Sequence, residues 1–162
     1  MGVETMSTIN KRMCADLEGE FVVFLIGMRI NKPWKVGAWW PVFWGMGKML
    51  AELGKQTDLG LLHARGHTGF PNLMIVQYWR SFEALEAFAK SRELSHLPAW
   101  QAFNKRTGSN GDVGIWHETY RVRPGDYECI YNNMPAYGAG RAGKLVEAVG
   151  RREGARGRMA KT

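Results

Sequence analysis

An α+β fold in the order β-α-β-β-α-β, built on an antiparallel sheet, is what this sequence predicts. Two observations carry it. Strand-type runs and segments of helical spacing follow one another as strand, helix, strand, strand, split helix, strand. The strands are also apolar on both faces, and two helices on one side cannot cover both. A homodimer that closes two such sheets into a barrel is the economical way to bury the rest.

In chain order, residues 1–20 are polar and aperiodic and read as a flexible leader. Residues 21–30, FVVFLIGMRI, form the first core strand, with Arg29 as its one charge, either paired or reaching water from the strand end. Residues 34–56 read as a helix in which Trp39, Phe43, Met46, Leu50 and Leu53 recur near helical spacing. Pro41 should kink it or mark a restart. The four tryptophans Trp34, Trp39, Trp40 and Trp44 make either an aromatic face packed on the sheet or a wall around an apolar ligand. Residues 59–66 and 72–80 are strands joined by a turn at 67–71, which leaves His63 and His67 exposed.

Ser81 is a good N-cap, with Glu83 in the first turn of the helix that follows. A second helical piece opens near Ser95. Within it His96, Trp100 and Asn104 fall at i, i+4 and i+8 on one face. After a glycine-bearing break at 108–111 comes the stretch 112–134, DVGIWHETYRVRPGDYECIYNNM. Alternation along its strand sends His117 and Glu118 to opposite faces, between Trp116 and Tyr120. Pro124-Gly125 turns the chain, 126–134 reads as a further strand, and 141–149 reads as a short amphipathic helix. The GxGxxG at 138–143 neither follows a strand directly nor opens a β-α-β unit, so it is not a dinucleotide loop.

Composition narrows the classes. The chain has 162 residues, enough for one domain (21–150) between the leader and a basic, disordered tail (151–162). Its formal charge is +7, but the tail holds five basic residues and one acid. The body is therefore ordinary, and nucleic-acid binding is not expected. Cys14 and Cys129 have neither metal-ligand nor disulfide-framework spacing. No metal site is expected. The run FVVFLIGM spans eight residues, too few to cross a bilayer, and no secretory leader is visible. The expected setting is the cytoplasm, with no membrane partner.

Four blocks, FVVFLIGMRINKPWKV, VQYWRSFEALEAFA, HLPAWQAFN and GDVGIWHETYRV, resemble the DUF4188 family of monooxygenase-like proteins over about residues 21–143. The resemblance implies the dimeric α/β-barrel superfamily on a ferredoxin-like fold. That superfamily includes cofactor-independent oxygenases and several haem enzymes. In it, a His or Trp of the second helix or a neighbouring strand often reaches the substrate. The matching positions are His96 and Trp100 in HLPAW, and Trp116, His117 and Glu118 in GIWHETY.

Three functions follow. The first is a small oxygenase acting on an apolar, electron-rich molecule with no cofactor required. His96 or His117 would be the base, Asn104 or Arg29 would steady an oxyanion, and Glu118 lies beside His117 in sequence. Trp39, Phe43, Trp79, Trp100 and Trp116 would wall the pocket. The second is a haem enzyme, aldoxime-dehydratase-like or peroxidase-like, with His96 or His117 as axial ligand. The third is a non-catalytic dimeric ligand-binding protein.

Overall fold

A computed structural model describes residues 7–54, 57–91 and 110–160. Strand β1 (Ile9–Asp16) is followed by β2 (Phe21–Ile30), α1 (Val36–Leu53), β3 (Leu61–Gly69), β4 (Asn72–Trp79), α2 (Phe82–Lys90) and β5 (Val113–Val122). Then come β6 (Tyr131–Met134), α3 (Ala139–Ala142), β7 (Lys144–Glu147) and α4 (Ala155–Met159).

The larger sheet has the order β3-β4-β2-β5, with every neighbouring pair antiparallel. With α1 and α2 as the crossovers, this is the ferredoxin-like topology that the element order predicts. The two central strands, β2 and β4, are the runs apolar on both faces. They pair from Val22↔Trp79 to Arg29↔Asn72. Alternation sends Val22, Phe24, Met28 and Ile30 to the helical side. There Val22 and Trp79 pack with Met49, Leu53, Leu85 and Phe88. Farther along, Met28, Ile30 and Val113 meet Trp39, Val42 and Met46 of α1. Ser81 caps α2 as expected, its Oγ accepting from the Ala84 N–H at 3.2 Å. Pro41 lies inside α1, which runs unbroken from Val36 to Leu53, so the chain does not restart there.

The other face of the sheet carries the main corrections. Inside the segment read as a flexible leader, Ile9–Asp16 is the central strand of a second sheet, β6-β1-β7. Its partners lie more than a hundred residues away: Met13 stands opposite both Tyr131 and Glu147. Nothing local to residues 1–20 announces that pairing. Leu17, beyond the strand, then packs with Phe21, Ala139 and Tyr127 over the β2 end of the larger sheet.

The helix read at 141–149 is also corrected. Only Ala139–Ala142 is helical, and Lys144–Glu147 is a strand paired with β1. Ladder hydrogen bonds to β1 outweigh the weak helical pattern. Gly143 permits the approach, since a Cβ there would lie 2.6 Å from the Asp16 carbonyl oxygen. Across the segment read as a disordered tail, Gly150–Glu153 and Ala155–Met159 form two short helices. Arg152 reaches Asp16 at 3.0 Å and Arg158 reaches Glu128 at 2.7 Å, so part of the basic excess is ion-paired.

Candidate functional site

On the helical side, the register places Gln77 opposite Phe24. Gln77 is 1% exposed, an amide set among apolar side chains. Its Oε1 accepts a 2.8 Å hydrogen bond from Trp79 Nε1, and the Trp79 indole is itself fully buried. Burying an amide is costly unless it is bonded, and this bond fixes the orientation of the group. With Oε1 as the accepting end, Nε2 is the donating end.

The row continues across the sheet. The Phe24 ring lies 5.7 Å from the His117 imidazole, and the Trp79 ring lies 5.5 Å from Phe88. His117, Phe24, Gln77 and Trp79 thus form one line on one face, with His117 at its exposed end. Two residues along β4 from Gln77, at Ile75, α1 and the β3-β4 edge border an open cavity of about 600 Å³. Phe43, Met46 and Leu50 form one wall and Leu73 and Ile75 the other. Among the described residues of its lining, Lys48 is the one Lys, Arg, Asp or Glu.

The candidate residues divide between two faces. His117, Trp79, Phe43 and Trp39 belong to the helical side. Trp39 packs beneath the start of α1 and donates from Nε1 to the Pro33 carbonyl at 3.0 Å, outside the cavity. Trp116, Glu118 and Arg29 alternate onto the opposite side, because β2 and β5 pair in register from Phe21↔Val122 to Ile30↔Val113. Trp116 lies over Gly27, where an added Cβ would stand 2.6 Å from the indole. Glu118 accepts from the Tyr120 hydroxyl at 2.5 Å, which pushes the tyrosine's pKa up. Arg29 is exposed and donates to Asn72 Oδ1 at 3.2 Å. His96, Trp100 and Asn104 lie outside the described residues.

The aromatic cluster of α1 fits neither reading offered for it as a whole. Trp39 turns inward, while Trp34, Trp40 and Trp44 are exposed.

His63 and His67, expected to be exposed, are half-buried. They share the opposite face with Tyr78, Tyr131 and Tyr137, near the residues around α3. The His63 ring stacks on Tyr78 at 6.4 Å, and its Nε2 is buried without a hydrogen-bond partner. Burial, followed by the positive charges of Arg141 and Arg65, lowers its pKa and favours the neutral ring. His67 Nε2 stands 3.4 Å from the Tyr137 hydroxyl. Burial also pushes the Tyr131 phenol well above its ordinary range, so it keeps its proton.

Sequence reasoning missed Gln77. Its signal was present: one amide inside the otherwise apolar run LMIVQYW that follows Asn72. Among the described residues, no group of three His, Cys, Asp or Glu side chains could hold a metal ion. No described helix is long and apolar enough to cross a membrane.

Fold and site together define a ferredoxin-like domain with an apolar cavity on its helical side. The chain belongs to the Monooxygenase af470-like family, whose model matches residues 21–139. It is 30% identical over 126 residues to Monooxygenase af470 of Aspergillus fumigatus, covering 72% of this chain and 44% of that protein. The chain therefore spans less than half of that relative's length. Among solved structures, an aldoxime dehydratase is similar with a TM-score of 0.50 at 18% identity, covering 90% of this chain and 42% of that one. SnoaB, a cofactor-independent oxygenase from Streptomyces nogalater, is similar with a TM-score of 0.44 at 12% identity, covering 64% and 94%.

Proposed function

We propose that this chain is an oxygenase domain acting on an apolar, electron-rich small molecule on the helical side of the sheet. The observation that carries the reading is the buried Gln77–Trp79 pair, set in line with His117 and two residues along β4 from Ile75, which lines the apolar cavity. A fixed amide donor in a dry setting can hold a developing oxyanion without reorganising. Family membership supports oxygenase chemistry, and the activity itself is the proposal.

In this reading a carbon acid in the substrate gives its proton to His117 or His96. Gln77 Nε2, with Asn104, holds the resulting enolate oxygen. The carbanion gives its electrons to dioxygen, and the peroxide formed takes up the proton. Loss of water then leaves a carbonyl. A CH₂ and O₂ thus become C=O and H₂O, with the substrate as the only reductant, so no cofactor is required. Arg29 and Glu118 have no part in these steps, because they lie across the sheet from His117.

A haem would need an imidazole directed into apolar space. Of the described histidines, His67 borders the cavity but contacts Tyr137, His63 stacks on Tyr78 away from the cavity lining, and His117 is exposed. The described residues do not fit the group, and no step is routed through it. A homodimer closed over the open sheet face is part of the same proposal.

Oxygen uptake with candidate polycyclic phenols, run beside an absorption spectrum of the purified protein, tests the reading. Uptake that falls in Gln77→Leu, with substrate affinity retained, supports it. Binding without uptake for every electron-rich substrate would return the protein to the ligand-binding alternative. A Soret band would move it to haem chemistry.

A further inference from the structure

The outer face of α1 takes no part in the core packing described above, and only its Phe43, Trp44 and Lys48 reach the cavity rim. The inner stripe of this helix, with Trp39, Val42, Met46, Met49 and Leu53, packs on the sheet. Trp40, Phe43, Trp44 and Lys48 follow at helical spacing on the outer side, and Trp34 precedes them. Trp34 is 75% exposed, Trp44 66% and Trp40 50%. These rings are not scattered. Trp40 stacks on Trp44 with centroids 6.4 Å apart and planes at 19°, and it tilts against Phe43 at 5.8 Å. The result is a continuous aromatic ridge, and a contiguous apolar surface of this kind marks a contact site.

The charge pattern selects the partner. No acidic residue occurs between Glu20 and Glu52, while Lys32, Lys35 and Lys48 fall in that interval just before or on α1, Arg29 lying across the sheet. Asp112 pairs with Lys32 at 2.7 Å and with Lys35 at 3.0 Å, so one carboxylate is shared between two ammonium groups. The ridge is therefore aromatic with a net basic rim. Two copies meeting ridge to ridge would set these rims against each other, which disfavours a self-association. An anionic lipid surface satisfies both features. Tryptophan rings settle at headgroup level, and lysines meet the anionic headgroups.

We infer that the outer face of α1, with Trp34, Trp40, Phe43, Trp44 and Lys48, docks this domain on an anionic membrane surface without crossing it. The contact explains a helix that is apolar on its outward as well as its inward side. Phe43 and Trp44 also line the apolar cavity, so docking sets the cavity rim at the lipid boundary. The inference does not depend on which reaction the domain performs.

Flotation of the full chain with vesicles tests it. One set is phosphatidylcholine alone, and the other contains about one quarter phosphatidylserine. The expected result is flotation with the anionic vesicles that weakens as salt rises. Trp40→Ala/Trp44→Ala lowers the partitioning by about tenfold or more, and Lys48→Glu lowers it on the anionic set. Because Trp40, Trp44 and Lys48 are exposed, thermal midpoints stay at the parent value, which separates lost docking from misfolding. Failure of the parent chain to float with anionic vesicles at low salt overturns the inference. So does a dimer in light scattering that Trp40→Ala/Trp44→Ala dissolves while no vesicle binding is seen, since a second copy would then be the occupant.

Discussion

Trp79 Nε1 and Gln77 Oε1 are 2.8 Å apart, and the two buried side chains make a polar pair inside the apolar layer between sheet and helices. The pair stands two residues apart on one strand, so alternation alone puts both on the same face. Each group depends on the other, because water does not reach either.

That dependence can be measured. Gln77→Leu leaves the indole N–H buried without an acceptor and should destabilise the fold by about 1–3 kcal/mol. Trp79→Phe/Gln77→Leu removes donor and acceptor together and should cost less than the sum of the single changes. Urea unfolding midpoints of the four proteins give the answer, and strict additivity would remove the pair from the account. In turnover, Gln77→Leu should lower kcat with KM held, as expected for a group that acts on the transition state.

Gly27 makes room for Trp116. An added Cβ at Gly27 would lie 2.6 Å from the indole and 2.7 Å from the Leu73 carbonyl oxygen. Gly27→Ala should cost about 1–3 kcal/mol by overpacking. Trp116→Ala in the same chain should recover only part of that loss, since the backbone contact remains. Thermal melts of the single and double variants would show it.

The apolar cavity offers a steric test. Met46→Trp fills part of the space of about 600 Å³ between α1 and β4. It should raise KM for an apolar substrate while leaving kcat nearly unchanged, as expected for lost uniform binding. A fall in kcat at constant KM would place the substrate elsewhere.

His63 links stability to pH. Its folded-state pKa lies below the ordinary imidazole value of about 6.5, chiefly through burial and then through Arg141 and Arg65. Below about pH 6.5 the unfolded chain takes up a proton that the folded chain refuses, so stability falls with falling pH. The loss ends once pH drops below the folded-state value. Above pH 6.5 the ring is neutral in both states and contributes no slope. Urea midpoints between pH 5 and pH 8 should therefore decline on the acid side, and His63→Phe should flatten that decline.

The β-α-β-β-α-β core could be read in advance because its signals are local. Each apolar run, the Ser81 cap and the α1 stripe are patterns within one short segment, and neighbouring segments pair with each other. The separation of His117 from Glu118 followed from the same alternation. Residues 9–16 and 144–147 could not be read that way. Each is a short strand with mixed polarity, and each becomes a strand only when the other supplies its hydrogen bonds across most of the chain's length. The half-burial of His63 and His67 likewise depends on remote segments brought onto that face. Gln77 was visible as an amide inside an apolar run, but its meaning was not, because a polar residue in a strand can face water or core. By itself the sequence determined which segments are strands and helices of the core and which way their side chains alternate. Only the tertiary structure decided which face each buried polar group shares and with whom, because burial and hydrogen-bond partners are properties of contacts between segments.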